Sequence, residues 1–233
     1  MQKKNFYEYN LIGLEEFLLS LGHKKFRAQQ LFRWVYGMGV TCFEDMSNLS
    51  KSFRAELPQI FNFEQPKLIK RWDSRDGTIK FLFDVGDNMS VESVMIPAKE
   101  RRTLCVSSEV GCNLACKFCY TGKQKLKKRL SAAQIVGQFM QVNSLLPEDE
   151  KLTNIVFMGM GEPLDNPEEV FKAIDILHSS WGLNFSRKKI TVSTSGIVPL
   201  IPLVAKSGTR LAVSLNGADD LTRSLIMPVN KRW

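Results

Sequence analysis

Apolar positions in the first sixty residues recur with a helical period. Leu14, Phe17, Leu18 and Leu21 fall at i, i+3, i+4 and i+7, and Leu31, Trp34, Val35 and Met38 repeat that spacing. Met46, Leu49, Phe53 and Leu57 extend it to a third helix, with polar breaks at Gly22-His23-Lys24 and Gly39-Val40-Thr41. The pattern predicts a small helical bundle. After Pro66 the period changes to two. Ile79, Phe81 and Phe83 alternate with Lys80, Leu82 and Asp84, Gly86-Asp87-Asn88 supplies a turn, and Val91 to Ile96 reads as a second strand. This predicts a hairpin that connects the bundle to the rest of the chain.

From about residue 100 the pattern is strand, loop, helix, repeated. Leu104-Cys105-Val106 reads as a strand, and Ser131 with Gln134 forms a capping box at the start of a helix. Ile155 to Met158 is wholly apolar, which predicts a strand covered on both faces. The next helix opens with Asn166 as cap, Pro167 at its first position and Glu168-Glu169 in its first turn, and buries Val170, Ile174 and Leu177. Two more strands, 189–193 and 210–215, flank a helix over 198–206. Four βα units in succession predict an α/β fold with a parallel sheet or barrel. The expected organisation is a helical domain over 1–62, a hairpin connector over 63–97 and a core over 98–233.

Composition narrows the class. At 233 residues and 44% apolar content the chain can bury a core unaided, so its five cysteines are not needed as disulfides. Thirty-two Lys and Arg against 24 Asp and Glu leave a net charge of +8, which favours a polyanion partner such as RNA or DNA. The start, Met1-Gln-Lys-Lys-Asn-Phe-Tyr-Glu, has no apolar signal-peptide region, and no apolar run approaches the ~20 residues that span a bilayer. These features predict a cytoplasmic protein with reduced thiols and no membrane partner.

The chemistry concentrates in Gly111-Cys-Asn-Leu-Ala-Cys-Lys-Phe-Cys-Tyr120, where Cys112, Cys116 and Cys119 are spaced C-x3-C-x2-C after the first core strand. Thiolates at that spacing can converge on one soft metal centre. Three ligands leave one iron of a four-iron cubane open; a zinc knuckle with Cys105 as fourth ligand satisfies the same spacing. The next strand ends in Gly159-Met-Gly161-Glu162-Pro163, where glycine admits close backbone approach and Glu162 can accept from an ammonium group, or where the chain simply turns. The third strand ends in Ser193-Thr-Ser-Gly and the fourth in Ser214-Leu215-Asn216-Gly217. Barrel folds place active sites on such a rim; a zinc knuckle needs none.

These motifs carry a resemblance. The cysteine triplet followed by G-x-G-E-P resembles radical S-adenosylmethionine (SAM) enzymes. Thr103-Leu-Cys-Val-Ser-Ser, Gly111-Cys, Phe157-Met-Gly-Met-Gly-Glu-Pro, Val192-Ser-Thr-Ser-Gly and Met227-Pro-Val-Asn-Lys resemble the RlmN/Cfr family, nearer its RlmN branch. The resemblance runs along essentially the whole chain, including Phe26 to Gln30 and Leu49-Ser50. It implies a partial (β/α) barrel of the radical SAM type, with about four of six βα units present, and methylation of adenine C2 in 23S rRNA and tRNA. Cys112, Cys116 and Cys119 would hold a [4Fe-4S] cluster whose open iron chelates SAM. Gly161, Glu162, Ser193, Ser214, Leu215 and Asn216 match SAM-contacting positions, Asn216 standing where many relatives have His. In the family, reductive cleavage of SAM gives a deoxyadenosyl radical, which takes hydrogen from a methyl group carried on a cysteine near the carboxyl terminus. The resulting carbon radical reaches C2, a position closed to polar methyl transfer. Cys105 matches the cysteine that resolves the adduct through a transient disulfide, and Glu92 the C2 proton acceptor. On residues alone, Glu92 reads as a surface carboxylate and Cys105 as a small core residue.

The implied partners are 23S rRNA, tRNA and a flavodoxin- or ferredoxin-type electron donor, met by a monomer. Two alternatives stay open: a radical SAM enzyme with another substrate, and a non-catalytic zinc-containing RNA-binding protein. The resemblance also predicts that the chain is a partial product, about 60 barrel residues short at roughly 30 per unit, and unable to methylate RNA unaided. The basic run Lys123, Lys125, Lys127, Lys128 and Arg129 reads as a solvated loop or, beside such a site, as a phosphate strip. Phe118 and Tyr120 are expected to pack the cysteine loop.

Overall fold

The sheet that carries the candidate rim begins outside the expected core. The structure, a computed structural model, describes residues 3–233. The helical segment contains β1 (Lys4–Asn5), α1 (Leu11–Ser20), α2 (Phe26–Phe32), α3 (Lys51–Ile60) and β2 (Phe61–Asn62), with β1 and β2 paired in parallel. Its core is aromatic: the Phe6 ring lies 5.5 Å from Phe61, 5.6 Å from Phe63 and 5.8 Å from Tyr36. The third helix starts later than its apolar spacing suggests. Ser50 Oγ accepts from Phe53 N, so the helix is capped there, and Met46 and Leu49 stay buried in the turns before it.

The expected hairpin is a three-stranded meander, β3 (Lys67–Asp73), β4 (Ile79–Asp84) and β5 (Ser90–Ala98). The extra strand has no apolar alternation because all seven of its residues are exposed; backbone pairing with β4 holds it at the edge. The chain continues through β6 (Arg101–Cys105), β7 (Glu109–Val110), α4 (Tyr120–Lys123), β8 (Lys128–Arg129) and α5 (Ala132–Leu145). Next come β9 (Asn154–Phe157), α6 (Pro167–His178), β10 (Ile190–Thr194), α7 (Ile201–Ser207), β11 (Arg210–Val213) and α8 (Asp220–Ile226). The main sheet runs β11-β10-β9-β6-β5-β4-β3. Its β6, β9, β10 and β11 are parallel neighbours, and β5 joins them antiparallel through β6. Four βα units and an open sheet make the partial barrel that the sequence implied.

One face of this sheet is packed. Phe81, Phe83, Val91, Leu104, Ile155, Phe157, Ile190 and Val192 are buried there, and α5 and α6 pack against each other over the parallel strands. Each such side chain contributes about 1.5–3 kcal/mol, and a one-residue slip would turn the whole set outward, so burial fixes register. The other face stays partly open: Val156 and Thr191 are only half-buried. The wholly apolar run Ile155 to Met158 is therefore fully covered on one side alone, contrary to its expected double burial. Register aligns Trp72, Lys80, Val94, Cys105, Val156, Thr191 and Arg210 in one row across all seven strands of that open face.

The Ser131–Gln134 capping box forms as expected. Asn166 does not cap its helix. Its amide instead donates to Ser108 O (3.1 Å) and Leu130 O (2.8 Å), two buried carbonyls that would otherwise lack partners. Glu169 reaches the other way and accepts from Ala132 N, in the first turn of α5, at 2.7 Å. Among the described residues no helix is long and apolar enough to cross a membrane. All five cysteines are free thiols.

Candidate active site

The cysteine loop is tied at both ends. β7 and β8 pair Glu109 with Arg129 and Val110 with Lys128, closing the loop over 111–127. Inside it, Cys112 N donates to Gln124 O (3.1 Å), Cys119 N to Cys116 O (3.1 Å) and Lys117 N to Ile226 O (2.9 Å). Cys112, Cys116 and Cys119 open into a cleft of about 390 Å³, together with Gly161, Glu162, Ser193, Ser214 and Asn216. Strand order thus gathers residues from four separate segments at the carboxyl ends of the parallel strands. Leu215 is exposed beyond that lining. Glu92 and Cys105 lie outside it, on the open sheet face.

Burial pushes the Cys112 thiol up to about 12, reinforced by the Glu109 and Glu162 carboxyls and opposed by the Leu114 N–H. Cys116 is raised too, chiefly by burial and then by Cys119. Three soft donors in a partly enclosed cleft fit a thiolate-bound cluster, with serine and backbone edges beside it for a polar ligand. Among the described residues no three His, Cys, Asp or Glu side chains converge on a point as the ligands of a single ion do. Ligands of a cubane need not, since each binds a different iron.

Behind the cleft stands a carboxyl pair. Glu109 is fully buried, and its Oε2 accepts from Glu162 N at 2.9 Å while Oε1 has no hydrogen-bond partner. Burial, with the Asp165 charge adding, raises its carboxyl. Glu162 is 2% exposed; its oxygens accept from Ser195 N (2.9 Å) and Leu164 N (3.3 Å). Its carboxylate therefore ties the loop after β9 to the loop after β10 while bordering the cleft, with acceptor sites left for an ammonium group. Gly161 makes the close approach possible: it sits at φ +95°, and a Cβ there would lie 2.5 Å from Glu109 Cβ.

Two further residues organise the rim, and neither stood out in the sequence. Arg223, on α8 and 8% exposed, donates to the carbonyls of Ser195, Ser214 and Leu215 and, at 2.7 Å, to Asn230 Oδ1. One guanidinium thus pins the ends of β10 and β11; nothing in its local pattern marks it. Gln138 lies among the buried apolar residues of α5. Its Oε1 accepts from Ser93 Oγ (2.7 Å) and Ser107 N (2.9 Å), and its Nε2 donates to Ser107 O (3.0 Å) and Gln134 O (3.1 Å). Ser107 Oγ in turn donates to Glu92 O (2.6 Å) and accepts from Met160 N (2.9 Å). A polar residue on an otherwise apolar helix face was the available signal.

Glu92 and Cys105 share the open face. Val94 lies opposite Cys105, and Glu92 is two residues away along the same strand. The Glu92 carboxylate pairs with Lys80 Nζ at 3.0 Å. Burial pushes the Cys105 thiol up to about 11, with the Met158 N–H opposing. Below that value the thiol is neutral, and only the thiolate attacks. Iodoacetamide labelling of Cys105 should therefore be slow at neutral pH and rise about tenfold per pH unit, levelling near 11. A rate that levels near about 8.5, the value of a free thiol, would contradict this burial.

The basic run divides. Lys128 Nζ is engaged by Val85 O and Asp87, and Arg129 by Asp165, whereas Lys123, Lys125 and Lys127 are exposed. Phe118 and Tyr120 do not pack the loop as expected, being 57% and 78% exposed. Phe118 instead borders the cleft.

Comparison with known proteins agrees with this geometry. The family model "Ribosomal RNA large subunit methyltransferase N-terminal domain" matches residues 4–62, and the Radical SAM superfamily model matches residues 106–233. A protein of Bdellovibrio bacteriovorus named dual-specificity RNA methyltransferase RlmN is 61% identical over 232 residues, covering all of this chain and 58% of that protein. The protein of that name from Syntrophus aciditrophicus is 42% identical, covering all of this chain and 67% of its own length. The crystal structure of a radical SAM methyltransferase from Sphaerobacter thermophilus superposes with a TM-score of 0.88 at 38% identity, covering 98% of this chain and 68% of that one. The chain therefore spans about 58–67% of the length of these curated relatives. By its sequence and by its fold, this chain belongs to the RlmN family of radical SAM methyltransferases.

Proposed function

We propose that the chain carries the SAM-cleaving machinery of an enzyme that methylates C2 of a specific adenine in 23S rRNA and in tRNA. The observation that carries this reading is the shared cleft of Cys112, Cys116 and Cys119 with Gly161, Ser193, Ser214 and Asn216. The three cysteines would hold a [4Fe-4S] cluster, with SAM bordered by Gly161, Glu162, Ser193, Ser214, Asn216 and the backbone of Leu215. When bound, the cluster supplies the electron that cleaves SAM reductively. It would draw that electron from a flavodoxin- or ferredoxin-type donor, in the cytoplasm, with the enzyme a monomer.

The chain's own residues prepare the site. Arg223 fixes three rim carbonyls, and Glu162 fixes two rim N–H groups, so a polar ligand meets edges already in place. Cys105 would resolve the RNA adduct and Glu92 would accept the C2 proton, both from the open face beside the cleft. Lys80 holds Glu92 as a carboxylate partner until substrate arrives.

None of the five cysteines remains to carry the methyl group: three line the cleft, Cys105 occupies the resolving position, and Cys42 is exposed in the helical segment. A polypeptide of these 233 residues is therefore expected to cleave SAM without methylating RNA. Unmodified rRNA and tRNA fragments, incubated with iron-loaded chain, SAM and reductant, should yield deoxyadenosine but no 2-methyladenosine by mass spectrometry. Methylated adenine made by this polypeptide alone would refute the assignment of its cysteines.

A further inference from the structure

We propose that Lys70, Trp72 and Lys80 form a docking platform for single-stranded RNA beside the cleft, with a base stacked on the Trp72 indole and phosphates on the two ammonium groups. This rests on the proposed RNA substrate and extends it to a part of the fold that the cleft chemistry does not use. Trp72 and Lys80 are directly paired across β3 and β4, and Lys70, two residues from Trp72, points to the same face. The Lys70 and Lys80 Nζ atoms lie 4.9 and 4.8 Å from the Trp72 ring centroid. Every residue of β3 is exposed, and Trp72 itself is 36% exposed.

Edge strands commonly carry lysines, which keep them from pairing with other chains. That role does not call for an indole between two ammonium groups. Both ammonium groups lie over an indole that is 36% exposed, so an arriving single strand would exchange partners with them: its phosphates draw the two cations off the ring, and a base takes their place on it. The platform is also aligned with the chemistry. Trp72 and Cys105 share one cross-sheet row, three strand spacings or about 14–15 Å apart. Lys80 links the two regions through its ion pair with Glu92. A phosphate that engages Lys80 competes for that pair, so RNA seated on the platform would loosen Glu92 as it arrives.

Binding of a short fluorescein-labelled single-stranded oligoribonucleotide with unpaired adenines, followed by anisotropy over a salt series, tests this. Trp72→Ala, at an exposed edge position that leaves the core untouched, should weaken binding about 5- to 150-fold, and Trp72→Phe should recover most of it. Lys70→Gln and Lys80→Gln should each lower the slope of log affinity against log salt by about 0.7. Less than fivefold loss in Trp72→Ala, or unchanged slopes in the lysine variants, would overturn the platform while leaving the RNA reading intact. A wild-type chain without RNA affinity would overturn both.

Discussion

Replacing Cys112, Cys116 or Cys119 by alanine is expected to abolish iron loading and SAM cleavage together. After anaerobic reconstitution the wild-type chain should hold about four irons and be brown; each variant should be colourless and cleave SAM no faster than buffer. The substitutions remove little volume, so circular dichroism should report an unchanged fold. Cys42→Ala, at an exposed position outside the cleft, should behave as wild type. The pH dependence has a definite sign. Burial raises the Cys112 and Cys116 thiols, so both are protonated at neutral pH, and loading must displace their protons. Iron uptake by the metal-free chain should therefore accelerate as pH rises. A single stoichiometric zinc with wild-type thiols, or full iron content in an alanine variant, would contradict the cleft's assignment.

The largest effect on stability is expected from Gln138→Leu. Leucine fits the apolar surroundings on α5 but leaves Ser107 N–H, Ser107 C=O and the Ser93 hydroxyl without their partner. Each buried group so abandoned costs about 1–3 kcal/mol, for a total of roughly 3–9 kcal/mol over the three. At 2–4 °C per kcal/mol for a chain of this size, Tm should fall by about 6–36 °C. Gln141→Leu, three residues along the same helix and bonded only to Gln65, should shift Tm by little more than about 2 °C. Equal effects of the two substitutions would show that Ser107 does not depend on this amide. Because Ser107 Oγ also holds Glu92 O and Met160 N, Gln138→Leu should weaken SAM binding as well.

Much of this molecule is legible in its sequence, for identifiable reasons. The four parallel strands announce themselves because each leads into cysteines, glycines or small polar residues, and one strand order brings those ends to a common cleft. The Ser131 capping box is a local code, closed within four residues. What stays hidden is set by distant partners. Asn166 has the identity of a helix cap, yet two buried carbonyls from other segments claim its amide. Glu162 has the identity of a ligand-binding carboxylate, but its further task of tying a backbone N–H 33 positions away is written nowhere near it. Arg223 gathers carbonyls from residues up to 28 positions away, a relation no local pattern encodes. β3 escapes notice because an edge strand can be made wholly of exposed residues, held by its backbone alone.

This cleft is expected to hold a redox-active cluster where SAM binds. Reducing the anaerobically reconstituted chain with dithionite in the presence of SAM, and quantifying 5′-deoxyadenosine and methionine, tests this. Both products should form in equal amounts, dependent on reductant and absent from Cys112→Ala. A chain that loads about four irons yet leaves SAM intact would contradict it.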